Sequence, residues 1–151
     1  MTKQGPGRRQ DYRYFTSITT RWSDNDQMMH VNNAVYYMYF DTAQTTFYIQ
    51  NGLLDMRRTS PYVVAESGCR HFSEVSYPDL LTVGIRVAKL GNASLRVEMG
   101  LFRNDADVAS AECFFVHVFI DPETRRPVAI PEAARAVFAG IAAWDVSALP
   151  S

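Results

Sequence analysis

The sequence predicts an α+β fold in which an antiparallel sheet wraps around one long helix. Three observations support this prediction. A single long helical segment lies in the first third of the chain, its first half is apolar on every side, and strand-like segments fill most of the chain after it. Because a helix that is apolar all round must be largely enclosed by other structure, we expect the sheet to cover it.

The helix is predicted from Ala34 to Gln50. Asn32 and Asn33 can cap its start, since asparagine side chains accept hydrogen bonds from the first unpaired N–H groups, and residues 51–52 (Asn-Gly) can end it. Residues 35–40 are also rich in β-formers, so propensity alone would allow a strand. The length of the segment and its caps favour the helix.

The predicted strands share a β-rich composition or an alternation of apolar and polar residues, and turn-forming residues separate them. They span Tyr12–Trp22, Tyr62–Glu66, Arg70–Val75, Leu80–Leu90, Ala93–Arg103 and Val108–Ile120. A short terminal helix from Pro131 to Ala139 is predicted after them, with the proline in its first turn.

Composition limits the classes of protein that the chain can belong to. Hydrophobic residues make up 47% and charged residues 21% of the 151 residues, which is typical of one globular domain. The net charge of −1 provides no broad basic surface for nucleic acid or an anionic membrane. No apolar run reaches the ~20 residues of a membrane span, and the N-terminus lacks the apolar stretch of a secretory signal. We therefore expect a cytoplasmic protein without a nucleic-acid partner, in which Cys69 and Cys113 remain free thiols.

The N-terminal residues differ in composition from the rest of the chain. Residues 1–11 combine glycine, proline and charge with little to bury, which predicts a mobile leader. Residues 12–151 predict a single domain.

The densest group of polar side chains lies between the first strand and the long helix, at residues 21–33. Unpaired N–H groups and the dipole at a helix N-terminus favour an anion, so a carbonyl oxygen placed there is polarised. A carboxylate a few residues upstream could attack that carbonyl or activate a water molecule. The same side chains could instead serve only to cap the helix and close the turn.

The motif in this segment resembles the 4-hydroxybenzoyl-CoA thioesterase branch of the hotdog superfamily. It runs Asp24-Asn-Asp26-Gln-Met-Met29-His30-Val-Asn32-Asn33, where the family has an aspartate followed by Gly-His-Val-Asn-Asn ahead of the helix. The likeness continues at residues 70–78, 90–94 and 125–131, so it covers nearly everything after the leader. The resemblance implies a hotdog fold, assembled as a homodimer or homotetramer, and hydrolysis of an acyl-CoA to a free acid and coenzyme A.

The resemblance also implies a role for each residue of the motif. Asp26 matches the catalytic aspartate, and the backbone N–H near Asn33 matches the oxyanion-binding group. His30 and Asn32 match positions that shape the loop, and contact of His30 with substrate is an equal alternative. For Asp24, we expect a hydrogen-bond acceptor within the turn rather than a reacting group.

Two features depart from the family pattern. Met29 stands where the family usually has glycine, so a positive φ there would strain the methionine, whose side chain we expect to line the acyl pocket. The turn at residues 91–93 lacks the basic residues with which some relatives hold the nucleotide of coenzyme A. Contacts to that nucleotide therefore stay unassigned.

Two other functions remain as alternatives to an acyl-CoA thioesterase. The chain could be a non-catalytic acyl-CoA binding protein if Met29 has closed the reaction geometry. A hydratase or dehydratase is less favoured. The signature of those enzymes resembles Asp-x-Asn-Pro-x-His, whereas here no aspartate stands five residues before His30 and no proline intervenes. His71 and His117 lie in strand patterns and are predicted to be core or interface residues. The three histidines are dispersed and lack HxH or HExxH spacing, so we expect no metal site. Hydrolysis of a thioester needs no redox cofactor, so we expect none.

Overall fold

The computed structural model describes residues 5–55 and 61–143, in which five strands form one antiparallel sheet and two helices accompany it. The elements are β1 (Tyr14–Thr19), α1 (Asn33–Gln50), β2 (Tyr62–His71), β3 (Leu80–Leu90), β4 (Ser94–Arg103), β5 (Ala111–Phe119) and α2 (Glu132–Ala139). The strand order is β1-β3-β4-β5-β2, so β1 and β2 form the two edges. The predicted α+β architecture is confirmed.

Helix α1 begins within one residue of the predicted start. Asn32 is its N-cap residue, and the Asn32 Oδ1 accepts a hydrogen bond from the N–H of Ala34 at 2.9 Å. At the other end Gly52 has a φ of +72°, a left-handed conformation that glycine adopts without strain. Both ends of the helix are therefore set by residues next to it in the chain.

The sheet covers only one side of α1. Tyr36, Phe40 and Phe47 are buried, whereas Tyr37 and Met38 are 37% and 54% exposed. Along the middle strands every second side chain faces the helix and is buried, and α2 adds Phe138 to the same core. One side of the helix is thus left uncovered within one chain.

Strand β2 differs from the prediction, which divided it into two segments. It pairs with β5 from Tyr62 to His71, with one register shift between Val64 and Glu66. A Cβ atom at Gly68 would lie 2.6 Å from the ring of Phe114, so the glycine lets this aromatic ring pack against the strand. Pairing with a distant strand, rather than local propensity, makes the segment continuous.

The N-terminal segment also differs from the prediction of a mobile leader. Residues 1–4 lie outside the described part of the chain, but residues 5–11 pack against the sheet. The N–H of Gly7 donates to Glu112 Oε1 at 2.5 Å, and the Arg9 guanidinium lies 4.8 Å from the centre of the Phe102 ring. These partners are about a hundred residues away in sequence, so the composition of the leader could not reveal them.

The two cysteines lie in neighbouring strands of the sheet. Cys69 and Cys113 face each other across β2 and β5, and both are free thiols, as predicted. No helix in the described residues is long and apolar enough to cross a membrane.

Candidate active site

A cleft of about 430 Å³ lies beside the N-terminus of α1. Its lining comes from the turn before the helix, the first turn of the helix, and the chain at and after the end of β2. The lining residues are Asp26, Met28, His30, Val31, Asn33, Tyr36, His71, Phe72, Ser73 and Glu74. Asp26, His30 and Asn33, which the sequence predicts as site residues, are brought together here.

Asp26 begins a tight turn that its own side chain stabilises. The Asp26 Oδ1 accepts a hydrogen bond from the N–H of Met28 at 2.8 Å, and the Asp26 carbonyl accepts one from the N–H of Met29 at 2.9 Å. The N–H of Asp26 donates to the carbonyl of His30, also at 2.9 Å, which closes the loop. Aspartate favours such turns because its short side chain reaches the backbone two residues on.

The carboxylate of Asp26 has no cationic partner among the described residues. Its second oxygen, Oδ2, lies 3.5 Å from the amide nitrogen of Asn32, and the ion pairs of the described chain do not include Asp26. A carboxylate that is held by one turn and not neutralised by a neighbouring cation can act as a nucleophile or as a base.

The first N–H group of α1 has no hydrogen-bond partner among the residues that the structure describes. Asn32 occupies the next two donors, because its side chain accepts from the N–H of Ala34 and its carbonyl accepts from the N–H of Val35. None of the hydrogen bonds in the described residues uses the N–H of Asn33. Since Asn33 lines the cleft at the positive end of the helix dipole, its N–H could bind a developing oxyanion.

Asp24 lies outside the cleft lining and is only 1% exposed. Its carboxylate accepts hydrogen bonds from the side chain and N–H of Arg21 and from the hydroxyl of Tyr39. Burial by itself raises the pKa of Asp24, but the hydrogen bonds from Tyr39 and Arg21 outweigh it, so the pKa is lowered and the group is ionised. This geometry supports the expected acceptor role.

His30 lies at the rim of the cleft and bridges it to the loop after β2. The His30 Nε2 is 2.8 Å from Glu74 Oε2, and the side chain of His30 is 41% exposed, whereas that of Glu74 is 71% exposed. This contact connects the turn that holds Asp26 to the opposite wall, which is consistent with a loop-shaping role for His30.

Met29 adopts a φ of +64°, the left-handed conformation that the family's glycine would favour. A side chain in this region is strained, at a cost of about 1 kcal/mol. Met29 is 57% exposed and does not line the cleft, whereas the neighbouring Met28 does. In this cleft the lining residue is therefore Met28 rather than Met29, which the sequence predicts to line the acyl pocket.

The two histidines assigned to the core or an interface have different surroundings. His117 is fully buried, its Nδ1 lies 2.5 Å from the Tyr48 hydroxyl, and burial lowers its pKa to about 4. His71 is exposed, lines the cleft, and packs edge-on against Tyr36 with 4.6 Å between ring centres. The strand pattern therefore did not identify His71 as a site residue. A possible signal was its place, with Phe72, where β2 ends.

Metal ligation has no visible basis in the described part of the chain. Residues 5–55 and 61–143 contain no group of three or more His, Cys, Asp or Glu side chains that could hold a metal ion.

Comparisons with known proteins agree with the fold. The family model of the thioesterase-like superfamily matches residues 20–138. The PA5185 protein of Pseudomonas aeruginosa strain PAO1 has a similar crystal structure with a TM-score of 0.85 and 41% identity, covering 91% of this chain and 96% of its own.

Two further proteins are related at different distances. A thioesterase from Thermus thermophilus, solved with coenzyme A and Zn, is 30% identical with a TM-score of 0.73, and the match covers 84% of this chain and 98% of that protein. The uncharacterized protein YsmA of Bacillus subtilis (strain 168) is 21% identical over 84 residues, which are 56% of this chain and 57% of YsmA. This last match therefore spans little more than half of the relative. The chain belongs to the thioesterase-like superfamily, the family of thioester hydrolases that the sequence motif predicts.

Proposed function

We propose that this protein hydrolyses an acyl-CoA to the free acid and coenzyme A, with Asp26 as nucleophile or general base and the N–H of Asn33 as oxyanion donor. One observation carries the proposal. Within the described residues, a single cleft contains both a carboxylate without a cationic partner and an N–H at a helix N-terminus without a hydrogen-bond acceptor. The coenzyme A bound by the Thermus thermophilus thioesterase supports a CoA thioester as the substrate.

In the nucleophilic form of the reaction, a carboxylate oxygen of Asp26 attacks the thioester carbonyl carbon. The carbonyl oxygen becomes an oxyanion, which a hydrogen bond from Asn33 stabilises by a few kcal/mol, about the cost of losing one such donor. The C–S bond then breaks, coenzyme A leaves as thiolate, and a mixed anhydride remains on Asp26. Hydrolysis by water releases the acid and restores the carboxylate.

In the general-base form, Asp26 takes a proton from a water molecule while that water attacks the same carbonyl carbon. The oxyanion forms on the same donor, the C–S bond breaks, and the thiolate receives the proton from Asp26. Both forms use only groups of the protein and water.

The test is the release of free thiol from a panel of short, long and aryl acyl-CoAs. Release of thiol with matching production of the acid supports the proposal. Tight binding of the same compounds without thiol release would instead identify a non-catalytic acyl-CoA binding protein. That alternative assumes that Met29 has closed the reaction geometry. The turn instead retains a left-handed conformation at Met29 and keeps Asp26 in the cleft, which favours the enzyme.

Exposed apolar side chains on α1 and β2 support a homodimer as the functional unit. Tyr37 and Met38 leave an apolar side of α1 exposed, and the edge strand β2 exposes Val64 at 47%. A second copy that covers these residues would bury more than about 1,000 Å² in a stable interface. We expect sedimentation at micromolar concentration to give at least a dimer, and a monomer under those conditions would contradict this assembly.

A further inference from the structure

We propose that Asp24 is a positioning residue for the reaction: through Tyr39 and the backbone of Asn32 it holds the N-terminus of α1 in place relative to Asp26. This inference rests on the proposed function, because it assigns the alignment of the two reacting groups to a residue that contacts neither substrate nor solvent.

The side chain of Asp24 is fully satisfied by hydrogen bonds. Its Oδ2 accepts from the Tyr39 hydroxyl at 2.6 Å and from the N–H of Arg21 at 2.8 Å, and its Oδ1 accepts from the Arg21 Nε and Nη2 at 3.1 and 2.9 Å. A buried carboxylate is stable only with partners of this kind. With its four partners in place, the carboxylate has a single well-defined position.

These bonds connect two separate elements. Arg21 and Asp24 belong to the short turn that follows β1, whereas Tyr39 lies in the second turn of α1. The carbonyl of Asp24 also accepts a hydrogen bond from the N–H of Asn32 at 3.1 Å, one residue before the free N–H of Asn33. Asp24 therefore holds the helix at two heights along its axis, which restrains both the position and the tilt of the helix start.

Asp26 follows Asp24 by two residues, so the same short segment carries the attacking carboxylate. Displacing the helix start from this segment changes the distance between Asp26 and the oxyanion donor. A misplacement of about 1 Å can lower a rate by 10²-fold. Asp24 does not line the cleft, so its loss should affect the chemical step more than substrate binding.

The negative charge on Asp24 is part of this arrangement. The buried carboxylate accepts a hydrogen bond from the Tyr39 hydroxyl. Burial, together with the nearby Asp24, raises the pKa of Tyr39, so its hydroxyl keeps its hydrogen. Charge-assisted hydrogen bonds are shorter and stronger than neutral ones. An asparagine at position 24 would turn an NH2 group toward either Arg21 or Tyr39, both of which are donors.

Asp24→Asn and Tyr39→Phe test the inference, and Asp79→Asn is the matched control. Asp79 is also a buried aspartate paired with an arginine: it is 8% exposed, its Oδ2 is 2.8 Å from the Arg103 Nε, and it accepts a hydrogen bond from Ser76 at 3.0 Å. It lies outside the cleft lining. For each variant we would measure kcat and KM by thiol release well below its Tm, and amide hydrogen exchange in residues 30–36.

We expect Asp24→Asn and Tyr39→Phe to lower kcat by about tenfold or more, within the range known for misaligned groups, while KM changes by less than about threefold. Amide exchange at the start of α1 should accelerate in both variants. Asp79→Asn should lower the Tm but leave kcat and the exchange of residues 30–36 unchanged.

Wild-type kcat and exchange in both variants would overturn the inference, as would an equal loss of kcat in Asp79→Asn at an equal loss of Tm. If Asp24→Asn does not fold, Tyr39→Phe decides, since it removes a single hydroxyl. If the wild-type protein releases no thiol, the proposed function fails. The exchange measurement then still decides whether Asp24 holds the start of the helix.

Discussion

The two faces of the sheet differ in how they accommodate charge. On the face turned away from α1, the carboxylates are paired with arginines: Glu98 contacts Arg86 at 2.9 Å and Arg96 at 3.1 Å, and Glu112 contacts Arg70 at 2.7 Å. On the helix side, Asp26 faces a cleft that no described arginine or lysine lines. The buried His117 has a ring nitrogen, Nε2, without a hydrogen-bond partner in the same part of the chain.

This difference separates structural charges from reactive ones. A paired surface charge contributes little to stability, and it is not available to attack a substrate. A carboxylate beside a helix N-terminus that is not paired with a cation remains available to react with a bound substrate. Four substitutions test this difference between structural and reactive groups.

The largest effect is expected at Asp26. Asp26→Asn should lower turnover by at least about a hundredfold, because an amide is neither a nucleophile nor a base. Glu98→Gln on the opposite face is the control and should retain kcat within about twofold, because Glu98 does not line the cleft. Thiol-release kinetics measure both, and near-wild-type hydrolysis by Asp26→Asn would exclude Asp26 from the mechanism.

The next effect concerns acid stability and His117. Its pKa is lowered to about 4 by burial, against an ordinary value of 6.5, so the unfolded chain binds a proton that the folded protein excludes. The contribution of His117 to stability is therefore complete above about pH 6.5 and falls as the pH is lowered toward 4. The expected loss between pH 7 and pH 5 is about 2 kcal/mol.

Urea denaturation at a series of pH values checks this prediction. A His117→Phe variant should lose the part of the pH dependence that lies between pH 7 and pH 5, whatever its absolute stability. An unchanged slope in that variant would show that other groups cause the dependence.

A smaller effect is expected at the helix cap. Asn32→Ala removes the acceptor for the N–H of Ala34 and should lower the free energy of unfolding by about 1 kcal/mol. Because the freed N–H adjoins that of Asn33, kcat should also fall by about tenfold, the lower part of the range for misplaced groups. The exposed Asn92, in the turn between β3 and β4, is the control for the same substitution. Loss of stability without loss of kcat would limit Asn32 to a capping role.

The smallest effect is expected at Met29. Met29→Gly should stabilise the protein by about 0.5 kcal/mol, since relief of the positive φ is partly offset by the greater freedom of glycine in the unfolded chain. The rank order of acyl-CoAs in kcat/KM should not change, because Met29 does not line the cleft. Met28→Ala is the comparison and should alter that order. A changed order with Met29→Gly would place its side chain against the acyl group.

Features that depend on near neighbours in the chain could be predicted from the order of the residues. The N-cap at Asn32, the end of α1 at Gly52 and the tight turn begun by Asp26 all arise from contacts within a few residues. The bounds of β3, Leu80–Leu90, were predicted without error because its alternation of apolar and polar side chains is regular. The family motif added the positive φ at position 29, which a methionine alone would not suggest.

Which of several similar residues take part in the site depends on contacts between distant parts of the chain. Asp24 and Asp26 are the same residue type two positions apart, and they differ because Tyr39 covers one while the cleft leaves the other accessible. Similarly, His117 is buried against Tyr48, whereas His71 reaches the cleft. Burial and pairing depend on side chains that come from distant parts of the chain. They therefore could not be predicted from the order of residues along the chain.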